Sequence, residues 1–227
     1  TLVVVVVNNA NNSPQSIKDN NQLTIQKINE NNYQFTLAVI DAASPGLELP
    51  LNHAGVGLAR KIGMDLALPH LTSPQSLIFC TDADTQVSPD YLSKVKQIFK
   101  SQNTSAAVIG FSHLKSQDSA INDAIGQYEK FLKTTAEKMQ RAGSPYGYVS
   151  MGSTIVCTAE AYCAVGGMPR KKATEDFYFL QELTKYCGVH NIPDILVFPS
   201  PRPISRVHLG TGFRMEQMQN GFDITNL

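Results

Sequence analysis

Residues 77–92, with the sequence LIFCTDADTQVSPDYL, decide the fold of this chain. The stretch opens with four apolar residues, which predict a strand buried in a sheet. Asp82 and Asp84 follow at the end of that strand. Ser88 can then cap a helix that has Pro89 at its first position. A buried strand, a polar turn and a helix in this order are the repeating unit of an α/β fold.

The same alternation extends on both sides of this stretch. Apolar runs with little alternation predict strands of a sheet that is covered on both faces. Strands alternating with helices indicate a mostly parallel central sheet flanked by helices, with a Rossmann-like N-terminal half. The predicted strands are residues 1–7, 33–42, 76–82, 105–113, 147–158 and 194–200, and the predicted helices are residues 15–31, 56–68, 88–102, 121–143, 159–167 and 174–188.

Composition limits the classes of function. The chain has 227 residues, of which 42% are hydrophobic, so it can bury a core. Nineteen basic residues balance 19 acidic ones, which argues against nucleic acid as a partner. No apolar run approaches the roughly 18 residues of a membrane span, and the chain starts in a strand-like run instead of a signal peptide. The four scattered cysteines are expected to be buried thiols, which predicts a cytoplasmic protein, with peripheral contact at the inner face of the membrane allowed.

Asp82 and Asp84 carry the clearest chemical signal in the chain. Two carboxylates this close repel each other unless a cation lies between them. Mg²⁺ and Mn²⁺ prefer oxygen ligands and often combine one or two carboxylates with substrate phosphates. The pair therefore predicts a site for a metal and a diphosphate, in a phosphatase, a nucleotidyltransferase or a transferase that uses a nucleotide-sugar. Gln86 stands where DxDxT phosphatases have threonine, and no glycine- and lysine-rich phosphate loop supports nucleotidyl transfer.

Four ordered stretches complete the pattern. They are VIDAAS (39–44), AGVGLARKIGMDLAL (54–68), FCTDADTQVSPDYL (79–92) and the segment 152–183, which begins GSTIVCT and ends ATEDFYFLQEL. On these motifs the chain resembles the inverting family 2 of the glycosyltransferases with the GT-A fold. The resemblance covers most of residues 1–183. It implies a single GT-A domain over residues 1–227, with 1–113 as the nucleotide-sugar-binding half and 114–227 as the acceptor-side half with a C-terminal lid.

The resemblance implies a role for each matching residue on the donor side. Asp41 matches an acidic position that helps to hold the nucleoside, and Ala42 replaces the second acid found in many relatives. Arg60 matches an arginine near the nucleotide. Asp84 is implied as the direct ligand of Mn²⁺ or Mg²⁺, and Asp82 as a contact to the sugar or ribose.

On the acceptor side, the resemblance makes Asp176 of the ED motif the catalytic base. Thr174 is a candidate N-cap, which places Glu175 and Asp176 in the first turn of a helix, where the helix dipole favours carboxylates. The same field helps to keep Asp176 ionised and able to accept a proton. Glu175 is expected to orient the acceptor or its loop, and Gly152 is expected on the acceptor side.

The stretch PSPRPISRVHLGTGFR (199–214) is the least typical part of the chain. His208 is a candidate metal ligand. Arg206 and Arg214 are candidates for clamping the diphosphate, because a guanidinium group binds phosphate oxygens in pairs. The glycines of this stretch would let it close over the nucleotide as a lid. It lacks the QxxRW of processive relatives, which argues against a polysaccharide synthase of that type.

These expectations describe a metal-dependent inverting glycosyltransferase of surface glycan or polysaccharide biosynthesis. The expected donor is a nucleotide-diphosphate sugar, with UDP favoured. The expected acceptor is a hydroxyl group of a glycan, a lipid-linked sugar or a small molecule. A nucleotidyltransferase that makes nucleotide-sugars and a catalytically degenerate nucleotide-sugar-binding domain stay open as alternatives.

Overall fold

The computed structural model describes residues 1–201, and these residues form two compact units. Unit 1 contains Thr1–Thr72 and Gly166–Glu175. Unit 2 contains Ser73–Val165 and the described residues from Asp176 to Pro201. Each unit has a sheet of its own.

Unit 1 is built on a pair of parallel strands. Its elements are β1 (Leu2–Asn8), α1 (Gln15–Glu30), β2 (Thr36–Ala42) and α2 (Val56–Ala67), followed by a 3₁₀ turn (Leu68–His70). β1 and β2 consist largely of β-branched and other apolar residues, which favour extended chain. Helix α2 packs on β1, and Gly63 permits the close approach because a Cβ atom there would lie only 3.0 Å from Val6 Cγ2.

Unit 2 contains a five-stranded sheet with the strand order β3-β6-β5-β7-β4. Helix α6 starts with Glu175, the last residue of unit 1, and continues in unit 2 from Asp176. The elements are β3 (Leu77–Phe79), β4 (Gln86–Val87), α3 (Tyr91–Gln102), β5 (Ala106–Phe111), α4 (Ser119–Arg141), a 3₁₀ turn (Gly152–Thr154), β6 (Ile155–Thr158), α5 (Ala159–Ala164), α6 (Glu175–Cys187) and β7 (His190–Phe198).

The strand directions correct one part of the sequence prediction. The α/β fold class, with central strands flanked by helices, is confirmed. The sheet of unit 2, however, is mixed: β5 and β7 are parallel, whereas β3–β6, β5–β6 and β4–β7 are antiparallel. The reason lies in the segment between β5 and β6, which begins and ends at the same edge of the sheet. Its helix and loops make a round trip instead of the single crossing that a parallel βαβ unit requires.

Strand β7 starts earlier than the predicted strand 194–200, because it continues through a proline. Pro193 cannot donate a ladder hydrogen bond, and such residues are tolerated in sheets at irregular positions. Here the register with β5 shifts at Gly110, next to Pro193 and Asp194. A Cβ atom on Gly110 would lie 2.6 Å from the carbonyl oxygens of both residues, so glycine makes room for the bulge.

The core of unit 2 lies between the sheet and α3. Tyr91, Val95 and Phe99 of α3 are buried, and their spacing is that of one helix face. The same cluster contains residues of three strands, namely Ala107, Ile109, Phe111, Val156, Ile192, Leu196 and Val197. The packing fixes the position of α3 and therefore of the loop that precedes it.

Local features of the sequence define the start of α3 and the ends of α4 and α6. Helix α3 begins at Tyr91 instead of Ser88 or Pro89, because Asp90 takes the N-cap position and Ser88 Oγ donates to its carboxylate over 2.6 Å. Gly143 and Gly188 follow α4 and α6 in the left-handed region, with φ of 76° and 75°, a conformation that commonly ends helices.

The cysteine prediction is half correct: none of the four cysteines forms a disulfide, but only two of them are buried. Cys80 and Cys157 are buried, but Cys163 and Cys187 are exposed. Within residues 1–201, no helix has the length and apolar character needed to cross a membrane.

Candidate functional site

Asp82 and Asp84 lie in a tight turn directly after β3. The Cys80 N–H donates to Ile155 O over 2.9 Å, which extends the pairing of β3 with β6 by one residue. The Thr85 N–H then donates to Asp82 O over 3.0 Å and closes a four-residue turn that contains both aspartates. Both side chains are half-buried. The structure thus places the pair at the carboxyl end of a strand, as predicted.

The directions of the strands bring several predicted features to one edge of the sheet. The carboxyl ends of β3, β5 and β7 and the start of β6 share this edge, which we call the carboxyl edge. Asp82 and Asp84 follow β3, and Gly152 lies in the buried 3₁₀ turn that leads into β6. Pro199 follows β7 and accepts a hydrogen bond from Leu114 N–H over 2.9 Å. Residues 199–201, the last that the structure describes, therefore follow the sheet at the edge that holds the aspartates.

The aspartates also lie on the connection between the two outer strands. β3 and β4 are the first and last strands in the sheet order, and only residues 80–85 join them. This segment crosses the carboxyl edge from β3 to β4. Tyr91 packs against the residue that precedes this segment: the Tyr91 ring lies edge-on to the Phe79 ring, with centroids 5.3 Å apart.

Two hydroxyl groups near this segment are buried without a hydrogen-bond partner in the described chain, Thr85 Oγ1 and Tyr91 OH. Burial raises the pKa of Tyr91, and the neighbouring Cys80 thiol adds to the effect. A buried hydroxyl with no partner costs free energy, so the two groups mark polar capacity that the protein itself leaves unused. Thr85 directly follows Asp84 in sequence, which is consistent with a polar ligand at this edge.

The residues present fit a divalent cation of the Mg²⁺ or Mn²⁺ type. Residues 1–201 contain no cluster of three or more histidine, cysteine, aspartate or glutamate side chains that could form a complete metal cage. Mg²⁺ and Mn²⁺ sites commonly need no such cage, because one or two carboxylates are completed by water and substrate phosphates. Asp82 and Asp84 supply that kind of partial, oxygen-only set.

Asp41 ends β2 in unit 1, and its own loop binds its carboxylate. Oδ1 accepts hydrogen bonds from the backbone N–H groups of Ala43 and Ser44, both over 2.9 Å, and Oδ2 accepts one from the Ser44 hydroxyl. Burial raises the pKa of Asp41, but these three hydrogen bonds outweigh it and lower the pKa below its ordinary value. The carboxylate is therefore ionised and rigidly held. The sequence did not reveal the contribution of Ser44.

Arg60 and Glu175 form a buried ion pair in unit 1. Arg60 Nη1 donates to Glu175 Oε1, and the two side chains are 13% and 4% exposed. Gly57, on the same helix as Arg60, lies against the chain before Glu175. A Cβ atom on Gly57 would meet Lys171 O at 2.3 Å, Pro169 O at 2.8 Å and Glu175 Cβ at 2.9 Å. The glycine-rich start of α2 is thus needed for the close approach of residues 169–175.

The ED motif begins α6, as predicted, but Thr174 is not a regular N-cap. Its φ of 62° lies in the left-handed region, which a β-branched residue seldom adopts, and its hydroxyl donates to Ala173 O over 2.6 Å. Asp176 is the second residue of the helix, and its Oδ1 accepts the Phe177 N–H over 2.8 Å. A carboxylate in the first helical turn is favoured by the helix dipole.

A tyrosine just ahead of the 3₁₀ turn at Gly152 is hydrogen-bonded to α6. Tyr148, just ahead of Gly152, is half-buried, and its hydroxyl lies 2.8 Å from Thr184 Oγ1 of α6. Burial raises the pKa of Tyr148 more than this hydrogen bond lowers it. The predicted residues Arg206, His208 and Arg214 lie outside the described residues.

Comparison with known proteins bears on the fold. No protein-family description matches the sequence, and no curated protein sequence is significantly similar to it. Among solved structures, S. aureus TarS 1–349 in complex with UDP-GlcNAc matches 96% of this chain with a TM-score of 0.54 and 11% identity. TarS 1–349 in complex with UDP matches 99% with a TM-score of 0.51 and 14% identity. The mannosyltransferase PcManGT from Pyrobaculum calidifontis, in complex with GDP-Man and Mn²⁺, matches 90% with a TM-score of 0.52 and 12% identity.

This chain shares the fold of those proteins. It spans 64% of the length of each TarS 1–349 chain and 57% of the PcManGT chain, which is less than two thirds in every case. The shared fold agrees with the α/β architecture of the two units described above.

One partly buried cluster of titratable side chains was not found from the sequence. His113 lies just beyond β5, at the carboxyl edge, with a side chain that is 1% exposed. Its backbone N–H and its Nδ1 lie 2.6 and 2.8 Å from Glu129 Oε1, and Lys133 Nζ donates to Glu129 Oε2 over 2.8 Å. Lys133 also donates to Phe111 O over 3.0 Å. The cluster fastens α4 to the end of β5, and only the i, i+4 spacing of Glu129 and Lys133 was a signal in the sequence.

Burial raises the pKa of Glu129, but hydrogen bonds from His113 and Lys133 outweigh this and lower it to about 2. Glu129 is therefore a structural carboxylate that stays ionised at neutral pH. Its position makes the carboxyl edge rigid at the strand next to β6.

Proposed function

We propose that this chain is a glycosyltransferase that uses a nucleotide-diphosphate sugar as donor. The single observation that supports it most is the pair of half-buried aspartates at the carboxyl edge of the sheet. That pair occurs in a fold shared with proteins solved in complex with UDP, UDP-GlcNAc and GDP-Man with Mn²⁺. In α/β folds, ligands bind beyond the carboxyl ends of the strands.

In this proposal the enzyme depends on a metal, and Asp84 holds Mn²⁺ or Mg²⁺ with Asp82 on the sugar or ribose side. A bound cation would neutralise the negative charge that develops on the leaving diphosphate. Asp41, ionised and fixed by Ser44, holds the nucleoside, with UDP favoured. Arg206, His208 and Arg214 belong to the same proposal as residues of a lid over the diphosphate, with His208 as a further ligand.

Asp176 acts as the general base. Its carboxylate accepts the proton of the acceptor hydroxyl while the acceptor oxygen forms a bond to the anomeric carbon. The bond from that carbon to the phosphate oxygen breaks, and the nucleoside diphosphate leaves with the electron pair. A single displacement from the opposite face inverts the configuration, as in family 2. Gly152 lies on the acceptor side of this arrangement.

The biological setting follows from the same proposal. The acceptor is a hydroxyl of a glycan, a lipid-linked sugar or a small molecule, and the reaction belongs to surface glycan or polysaccharide biosynthesis. The protein works in the cytoplasm or at the inner face of the membrane. These statements are expectations from the sequence resemblance.

A thermal-shift panel with UDP, GDP and dTDP, each with and without Mn²⁺, tests the proposal. A nucleotide present at about 100 times its Kd stabilises the folded state by about 2.7 kcal/mol. For a chain of this size that corresponds to a rise in Tm of roughly 5–10 °C. We expect this rise for UDP with Mn²⁺ and a smaller one without the metal. No shift with any of the nucleotides would contradict the proposal.

The Asp84→Ala variant tests the metal site. We expect it to lose the Mn²⁺-dependent part of the UDP shift and metal-dependent release of UDP from UDP-sugars, while its Tm without ligand stays close to that of the wild type. Asp19→Ala, on the exposed surface of α1, is the matched control and should behave as wild type. Release of pyrophosphate from a nucleoside triphosphate and a sugar 1-phosphate would instead favour a nucleotidyltransferase.

A further inference from the structure

The ion pair with Glu175 indicates a structural role for Arg60, which is distinct from the nucleotide contact that the sequence resemblance implies. Removing one member of such a largely buried pair leaves an uncompensated charge and is strongly destabilising. With its side chain 4% exposed, Glu175 presents little surface to any ligand. Its carboxylate is directed to α2, and the residue that follows it in the chain is Asp176.

The segment 166–175 is fastened to α2 at both of its ends by neighbouring residues. Arg60 binds Glu175 at one end, and Lys61 Nζ donates to Gly166 O over 3.4 Å at the other. Between these points, Gly57 leaves room for the carbonyl groups of the segment. The start of α6 is therefore held by Arg60 of α2, which lies 115 residues away in sequence from Glu175.

Thr174 shows that this conformation is imposed from outside the segment. A β-branched residue with φ of 62° is strained, and such a conformation persists only when the surroundings determine it. The Arg60–Glu175 pair is a constraint at the adjacent residue. If the pair is lost, we expect Thr174 to relax and the first turn of α6 to change its course.

We propose that Arg60 is a positioning residue that acts through Glu175 to fix the backbone from which the Asp176 side chain projects. The inference rests on the proposed function, in which Asp176 is the base. It differs from the role implied for Arg60 by the sequence resemblance, which is contact with the nucleotide. A base displaced by about 1 Å can lose roughly 100-fold in rate, so the pair would matter for turnover even with no contact to substrate.

The two roles predict different effects of Arg60→Met and Glu175→Gln. We measure the Kd of UDP with Mn²⁺ by calorimetry, and kcat and KM for UDP release from UDP-GlcNAc. Positioning predicts that either variant lowers kcat by 10-fold or more, while the Kd of UDP changes by less than about 2-fold. The double variant should lose no more than either single variant, because the two residues act as one unit. Arg60→Lys, which keeps the charge, should recover part of kcat.

Lys185→Met is the control for a change of charge on the same helix. Lys185 pairs with Glu182, and both side chains are about half exposed, at 52% and 50%. An exposed pair contributes little, so kcat should equal that of the wild type. A 10-fold weaker UDP affinity in Arg60→Met, without such a change in Glu175→Gln, would show that Arg60 contacts the nucleotide and would overturn the inference. Full kcat in both variants would overturn it as well.

Hydrogen exchange separates failure of this inference from failure of the proposed function. We expect faster amide exchange at residues 174–178 in Arg60→Met and in Glu175→Gln, but not in Lys185→Met. This readout requires no turnover, so it applies even if the wild type binds none of the nucleotides. Unchanged exchange at residues 174–178 would mean that the pair does not hold the start of α6.

Discussion

Replacing Gly57 with alanine tests whether residues 169–175 lie against α2. The new Cβ atom would be 2.3 Å from Lys171 O, 2.8 Å from Pro169 O and 2.9 Å from Glu175 Cβ. Two of these three atoms are backbone oxygens, which cannot rotate away as a long side chain can. Since ordinary contacts of a Cβ atom lie at 3.4–4 Å, the segment must move by about 1 Å.

The expected cost follows from this displacement. Overpacking of a closely packed site costs about 1–3 kcal/mol, and alanine recovers at most about 1 kcal/mol through its higher helix propensity. Movement of Glu175 also weakens its pair with Arg60. We therefore expect a net loss of about 2–3 kcal/mol, which lowers Tm by roughly 4–10 °C for a chain of this size.

Gly126→Ala is the matched control, because this glycine also lies in a helix but has no atom within 4 Å of the position of a Cβ. It should gain up to about 1 kcal/mol from helix propensity alone. The assay is thermal unfolding followed by circular dichroism, with both variants measured beside the wild type. If Gly57→Ala proved as stable as the wild type while Gly126→Ala behaved as expected, residues 169–175 would not lie against α2, and the positioning argument would fail with them.

Three further changes test other parts of the structure. The pKa of Glu129 is about 2 in the folded state and 4.5 ordinarily, so its contribution to stability is present above pH 4.5 and is lost as the pH falls toward 2. Glu129→Gln should therefore cost about 2 kcal/mol at pH 7 and flatten the loss of stability between pH 5 and 3, measured by urea unfolding. An unchanged pH dependence would contradict the low pKa of Glu129. Ser44→Ala should raise the pKa of Asp41 toward 3.8, because it removes the hydroxyl bond that stabilises the carboxylate; an NMR titration of the carboxyl carbon measures this, and an unmoved pKa would count against the observed geometry. Tyr91→Phe should leave the free energy of unfolding unchanged or raise it by up to about 1 kcal/mol, since the hydroxyl has no partner in the described chain, whereas a loss above 1 kcal/mol would reveal one.

The sequence predicted those parts of the fold that depend on local patterns. The apolar runs of β1 and β2 and the turn with Asp82 and Asp84 follow from residues that are neighbours in the chain. Strand direction in unit 2 does not, because it depends on how the segment between β5 and β6 returns to the sheet. The extension of β7 through Pro193 could not be predicted from the local sequence either, because the glycine that accommodates the bulge lies in another strand.

The candidate site shows the same division. Single positions such as Asp41 and Asp176 stand out because carboxylates at strand and helix ends are chemically informative. Contacts between residues distant in sequence could not be predicted: Glu175 pairs with Arg60, 115 residues away, and His113 contacts Glu129, 16 residues away. An ion pair over such a distance has no periodic signal in one sequence. The burial of Glu175, which changes the role expected for Arg60, became evident only in the folded chain.

The connection that carries Asp82 and Asp84 has a consequence for the length of the chain at this point. Because residues 80–85 join the two outermost strands, the number of residues between β3 and β4 is set by the width of the sheet. A surface loop elsewhere can lose or gain residues at little cost, as loop-closure entropy changes slowly with length. Here a deletion would pull β4 from its two-residue pairing with β7, and an insertion would move one carboxylate relative to the other. The width of the sheet therefore sets the separation between the aspartates, and we expect the connection that carries them to tolerate fewer insertions and deletions than neighbouring loops.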